Sequence, residues 1–255
     1  MKEKRAKIPK MLAVGLGLLI LLSFAVSPVL AKSGTYLKEK DIHIRQKTHT
    51  HTDAIEMFGM TIAEETDTYT LTETWISKDK MRTDTYERKD ESDMKGQLTY
   101  SNYWLKDKMY SVDHRNKTYA EVKLGDLPTM DVTVKVEPTR ETEKIGGWKC
   151  KKYNVEIKFA IEGMTFTTKE ELWACKDIKI DYGKYMGHTQ AATSSLFGKD
   201  ALNEFKKIGG YPVRIIGTTT VMGITTETTT ELIEYGLGST PKGIYEIPKG
   251  YKKGS

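Results

Sequence analysis

Few residues in this chain have types suited to metal or nucleophilic chemistry: there are five histidines and two cysteines in 255 residues. His49 and His51 stand two apart and share one face if they lie on a strand. Tetrahedral zinc would need two more ligands, and His43, His114 and His188 follow no metal spacing. No metal or cofactor is expected. Ser194-Ser195 has no Gly-x-Ser-x-Gly surround of the kind that makes a nucleophile elbow. The acid pairs Glu64-Glu65 and Glu170-Glu171 read as solvated strand ends rather than an acid/base couple, and no glycine loop is built to cradle phosphate. No catalytic residue is expected, and the chain does not read as an enzyme.

The cysteines are placed by a hairpin. With Glu162-Gly163 as a two-residue turn, Ile161 faces Met164, Phe159 faces Phe166, and Glu156 meets Lys169 as an attractive cross-strand pair. Cys150 then falls opposite Cys175. In this register the pair is non-hydrogen-bonded, with about 4.5 Å between Cα atoms, within disulfide reach. A Cys150–Cys175 disulfide is expected. A second hairpin turning at Met222-Gly223 sets Val221 against Ile224 and Arg214 against Glu231. Gly59-Met60-Thr61, Gly163-Met164-Thr165 and Gly223-Ile224-Thr225 each open a returning strand, which implies successive long hairpins of one meandering sheet.

Alternation of β-branched and aromatic residues with polar ones marks strands. It is plain at 66–75, where Tyr69, Leu71 and Trp75 interleave with threonines, and recurs at 98–112, 118–123, 132–136, 150–161, 164–175, 212–221 and 224–234. One segment differs. Over 189–208, Leu196, Leu202, Phe205 and Ile208 are set among polar residues, Lys206-Lys207 ends the run, and Gly209-Gly210 caps it, so a helix is expected.

The N-terminus reads as an export signal. Lys2, Lys4, Arg5, Lys7 and Lys10 precede an uncharged run from Met11 to Val26, and Val29-Leu30-Ala31 supplies a cleavage site near Ala31. Residues 1–31 are thus a signal peptide and 32–255 a single domain, periplasmic or secreted, whose membrane contact is through the signal peptide. Removing these five bases and one acid from the 40 and 35 of the chain leaves 35 and 34, a net charge of +1. Nucleic acid is excluded as a partner by that balance, despite the aromatic run of Tyr100, Tyr103, Trp104, Tyr110, Tyr119, Trp148 and Trp173. Two cysteines in an exported chain suit one disulfide.

A set of short motifs runs through the domain: Trp75-x-x-Lys78-Asp79-x-Met81-Arg82, Met109-Tyr110-Ser111-Val112-Asp113, Gly146-Gly147-Trp148-Lys149-Cys150-x-x-Tyr153, Glu171-Leu172-Trp173-x-Cys175-x-Asp177, Gly210-Tyr211-Pro212-Val213 and Tyr245-Glu246-Ile247-Pro248. Together they resemble an uncharacterised family of exported bacterial proteins similar to the lipoprotein-carrier superfamily of LolA, LolB and LppX type. The resemblance implies a mostly β, α+β fold: a strongly curved antiparallel sheet, an unclosed half-barrel with a helix over its concave side. In the carriers that cavity takes acyl chains. No functional residue of the carriers is matched here.

The expectation is a binding or carrier protein for an apolar ligand, a lipid or lipoprotein acyl chain. Its lining, grouped by strand parity, would be Tyr69, Leu71, Trp75, Val155, Ile157, Phe159, Phe166, Val213 and Ile215. The same residues would otherwise form a closed core. The alternative is an envelope module that binds a protein partner and no small molecule.

Overall fold

The computed structural model describes residues 41–57, 60–77, 79–105, 108–122, 131–161, 164–178, 198, 200–221 and 224–254. The signal peptide, His188, Ser194-Ser195, both hairpin turns and the first half of the expected helix lie outside the described residues. Among the described residues the strands are β1 (Asp41–Thr52), β2 (Ile55–Met57), β3 (Met60–Ala63), β4 (Thr66–Ile76), β5 (Lys80–Arg88), β6 (Gln97–Leu105), β7 (Lys108–Asp113), β8 (Thr118–Val122), β9 (Asp131–Ile145), β10 (Trp148–Ile161), β11 (Met164–Cys175), β12 (Tyr211–Val221), β13 (Ile224–Gly238) and β14 (Lys252–Lys253).

Twelve of them form one large unclosed sheet in the order β14-β8-β7-β6-β5-β4-β1-β13-β12-β11-β10-β9. Pairing is antiparallel except for the two-residue β14–β8 contact. β2 and β3 pair with each other and prolong the β1/β4 hairpin, with Met57 opposite Met60. The sheet is not the single meander expected from the hairpin repeats. Two meanders, β4 to β8 and β9 to β13, flank β1, which pairs with β4 on one side and β13 on the other. The fold is mostly β with little helix; no described helix is long and apolar enough to cross a membrane.

The hairpin registers agree with the expectation. Phe159 is opposite Phe166, Glu156 opposite Lys169, Cys150 opposite Cys175, and Arg214 opposite Glu231. Elsewhere tertiary pairing supplies what local pattern lacks. The stretch 98–112 is two strands, β6 and β7, and β9 runs to Ile145 through Glu137-Pro138, residues of low strand preference. β9 is an edge strand, where proline and charge are tolerated.

Because residues opposite each other in an antiparallel pair share a face, the registers assign every side chain. One face is apolar. It carries Val134 and Val136, then Tyr153, Val155, Ile157 and Phe159, then Phe166 and Leu172, then Ile215, Leu232, Ile44, Ile42, Ile76 and Met81. These are buried in one cluster together with Ala201, Phe205 and Ile208. Helix is described at 198 and 200–205, and it docks on the β9–β10 end: Val136 N donates to Glu204 Oε2 at 2.9 Å, and Gly209 N donates to the Tyr153 hydroxyl at 3.0 Å. The helix ends at 205, three residues before the expected stop, and the glycine pair that follows serves the approach to β11 instead. Gly210 has φ +112, and a Cβ there would collide with the Cys175 carbonyl, so only glycine fits.

The opposite face is charged. Lys152 bonds Glu171 at 2.9 Å, Arg214 bonds Glu231 at 3.0 Å and Glu143 at 3.2 Å, and Lys47 reaches Glu231 at 3.0 Å. On the β4–β8 half this face holds a second packed group, Leu71, Trp75, Tyr103 and Val112, all buried. The C-terminal segment is tied to it through Arg82, whose Nη1 donates to the Ile244 carbonyl at 2.8 Å, and through β14.

Candidate functional site

Among the described residues, three places gather groups able to do chemistry or hold a ligand. The first is on the apolar face at β10–β12. β11 presents Phe166, Thr168, Glu170 and Leu172 in alternation. Opposite them on β10 stand Phe159, Ile157 and Val155, and on β12 stand Thr219, Gly217 and Ile215. Phe159 and Phe166 stack at 4.8 Å with 3° between their planes. The Thr168 and Thr219 hydroxyls bond each other at 2.8 Å. Beyond them the face turns to hydroxyls, with Thr230 bonded to Thr48 at 3.0 Å and Thr228 to Thr50 at 3.3 Å.

Glu170 lies in the middle of this surface and corrects the expectation of a solvated strand end. It is 6% exposed, and its Oε2 has no hydrogen-bond partner. Burial alone raises its carboxyl to about 7, because removing the ionised form from water is costly and no charge offsets it. Its neighbour Glu171 points the other way and pairs with Lys152. Parity was the available signal: strict alternation from Phe166 to Leu172 puts Glu170 on the oily side.

The second place is a chain of polar groups under the C-terminal segment. Asp84, 2% exposed, takes Arg82 Nε at 2.6 Å and Arg82 Nη2 at 2.8 Å, and accepts the Ser101 hydroxyl. With that proton committed, His114 Nε2–H donates to Ser101 Oγ at 2.7 Å, leaving Nδ1 to accept from the Tyr251 hydroxyl at 2.9 Å. Burial, ahead of the charges around it, lowers the His114 pKa, in keeping with the neutral ring. Serine lies between acid and imidazole, so the order differs from the acyl-transfer triad, where the imidazole is central. The chain of hydrogen bonds anchors Tyr251.

The third is the cysteine pair. Cys150 and Cys175 are opposite each other, both buried and both free thiols, so the expected disulfide is not formed in this structure. Cys150 Sγ instead donates to the Trp148 carbonyl at 3.4 Å, and Cys175 Sγ accepts from Asp177 N at 3.3 Å. Burial, and then the neighbouring sulfur, push the Cys150 thiol up to about 11. Nearby, a depression of about 340 Å³ is lined by Thr142, Glu143, Lys144, Gly147, Lys149 and Asp177, and by none of the residues expected to line a ligand cavity.

The structure splits those expected lining residues. Val155, Ile157, Phe159, Phe166 and Ile215 share the apolar face, and Val213 joins their cluster. Tyr69, Leu71 and Trp75 are on the charged face, across from His49, Lys47 and His43. Tyr69 stacks on His49 at 4.5 Å and Trp75 on His43 at 5.4 Å. His49 and His51 do share a face and both bond Asp67, at 2.7 and 3.1 Å. Among the described residues, no group of three or more His, Cys, Asp or Glu side chains is arranged to hold a metal ion.

Fold and surroundings define a mostly β protein built on one large unclosed sheet, with a buried acid on its oily face. The chain belongs to the family described as Domain of unknown function (DUF4412), which matches residues 42–251. No curated protein matches it. Among solved structures, it is similar to an uncharacterized conserved protein from Thermus thermophilus, at 8% identity over 82% of this chain and 89% of that one, with a TM-score of 0.38. A DUF1329 family protein from Desulfovibrio piger is similar at 10% identity over 92% and 96%, with a TM-score of 0.28.

Proposed function

We propose that the protein is an exported binding or carrier protein that holds an apolar ligand, a lipid or acyl chain, on the apolar face around Val155, Ile157, Phe159, Phe166, Val213 and Ile215. One observation carries the reading. The broad apolar face has no second sheet laid on it among the described residues, and the regular structure packed there is the short helix at 200–205. The face is buried in the folded chain, with Val155 2% and Ile157 1% exposed, so a ligand chain would take the place of part of that cover. The motif resemblance to the lipoprotein carriers supports the same reading, with the sheet bent into a half-barrel and helix over its concave side. Tyr69, Leu71 and Trp75, being on the other face, leave the proposed lining. Export through residues 1–31, with cleavage near Ala31, belongs to the proposal. So does oxidation of Cys150 and Cys175 to a disulfide once the chain reaches an oxidising compartment.

The test is to purify the mature protein from its native envelope without detergent, extract it with organic solvent, and analyse the extract by mass spectrometry. A fluorescent fatty acid is titrated in parallel. Co-purifying lipid and saturable probe binding are expected; a clean extract with no probe binding ends the carrier reading.

A second reading, an envelope module that binds another protein, is favoured by one fact. Ile157 is 1% exposed and Phe159 2%, as in a face already filled by the protein's own side chains.

A further inference from the structure

We propose that Glu170 anchors the polar end of the ligand, and that the ligand is an amphiphile whose head donates hydrogen bonds, an ammonium foremost. The inference rests on the apolar-ligand reading above and adds the chemistry of the head.

A carboxyl group withdrawn from water without a partner is costly, and native proteins retain few such groups. Glu170 Oε2 is one. Nothing in the sheet answers it. The side chains directly beside it are Val155 on β10 and Gly217 on β12. The nearest hydroxyls, Thr168 and Thr219, are bonded to each other. On the strands from β9 across to β1, no lysine or arginine of this face stands beside Glu170: Lys151, over the Tyr153 ring at 5.4 Å, is two same-face positions beyond Val155 on β10, and Lys169 and Glu171 belong to the charged face. Desolvation is accordingly the sole influence on the Glu170 carboxyl. The site lacks a donor, and a ligand head can bring one.

The strand opposite leaves space there for a methyl-sized group. Gly217 is a strand-interior glycine with ordinary backbone, directly opposite Glu170. A Cβ there would come within 3.5 Å of Glu170 Cγ and 3.9 Å of Oε1, contacts of ordinary van der Waals length. Glycine weakens a strand interior, and one placed there marks a close approach by another group. Here it leaves a methyl-sized notch beside Oε1 of the same carboxyl group, with the buried Ile157, Phe159 and Phe166 rows on one side. A charge-assisted pair between ammonium and carboxylate is about twice as strong as a neutral hydrogen bond. A carboxylate-headed ligand would meet a like group instead.

The experiment is calorimetric titration of the mature chain at pH 8 with decylamine, decanol and decanoate. The wild type should bind decylamine at least about tenfold more tightly than decanoate. Glu170→Gln, close to isosteric, should abolish that preference while all three ligands still bind. Gly217→Ala, which fills the notch and leaves the carboxyl in place, should weaken decylamine by about tenfold in a protein that stays folded. Equal affinities in the wild type, a preference that survives Glu170→Gln, or unchanged decylamine binding in Gly217→Ala overturns the anchor. Failure of all three ligands to bind overturns the apolar-ligand reading itself, and the anchor with it.

Discussion

Glu170 makes folding stability fall as pH rises. Its carboxyl titrates near 7 in the folded chain against an ordinary 4.5. Between these values the folded state holds a proton that the unfolded chain has released. The stabilisation is therefore complete below pH 4.5 and is lost as pH rises through 7. The gap corresponds to about 3 kcal/mol. We expect the urea midpoint of the wild type to drop between pH 5 and pH 8 from this source, and Glu170→Gln to remove that drop. A variant with the wild-type pH profile would contradict the assignment. His114 works with the opposite sign. Its lowered pKa makes its contribution full above 6.5 and lost as pH falls. Tyr251→Phe, which leaves His114 Nδ1 without its donor, should cost about 1–2 kcal/mol. Both groups can be named from sequence but not understood there. Adjacent acids look solvated until alternation assigns one to each face, and His114 and Tyr251 are 137 positions apart.

The elements are legible to the extent that their pattern is local. The β10/β11 hairpin registers in full because turn, aromatic pair, charge pair and cysteines agree on one alignment. β1 escapes a local reading. Its apolar residues, Ile42 and Ile44, are followed by the polar run Arg45 to Thr52, and its place is decided by β13, nearly two hundred residues later. The site suffers the same way: parity groups residues within a strand, but only cross-strand registers reveal that Leu71 and Val155 face opposite sides. The junction of helix and β12 offers an element-level test. Gly210→Ala should destabilise by about 2 kcal/mol or more, from left-handed strain and the clash with the Cys175 carbonyl. Gly236→Ala, with nothing within 4 Å of the added methyl, should change the melting point little. If the two variants melt alike, the Gly210 argument is wrong.

For the molecule as a whole, β1 joins two meanders that otherwise do not touch along the sheet. Ile44→Ala removes a side chain that is 2% exposed from that seam, at about 2–4 kcal/mol. Hydrogen exchange should then quicken on both sides, in β4–β5 and in β12–β13. Val112→Ala, buried at the β7 position, should loosen β6–β8 and spare β10–β12. Exchange confined to one side in the Ile44 variant would show that the halves are not coupled through β1. Pairing Thr48 with Thr230 also spans 182 positions, so loop closure precedes any reward from the seam, and refolding should be slow for a chain of this size.

An open sheet keeps two rims, and β9 is the longer of them at fifteen residues, against two for β14. Its outward backbone groups are a template for a like strand from a second molecule. Lys135 and Glu137, paired at 2.6 Å, and Pro138, which has no N–H to give, interrupt that template. The protein's solubility at high concentration is thus guarded by a handful of residues that add little to its fold. Replacing Lys135 and Glu137 with valine should leave the melting temperature nearly unchanged, yet make light scattering grow with concentration as rims zip together.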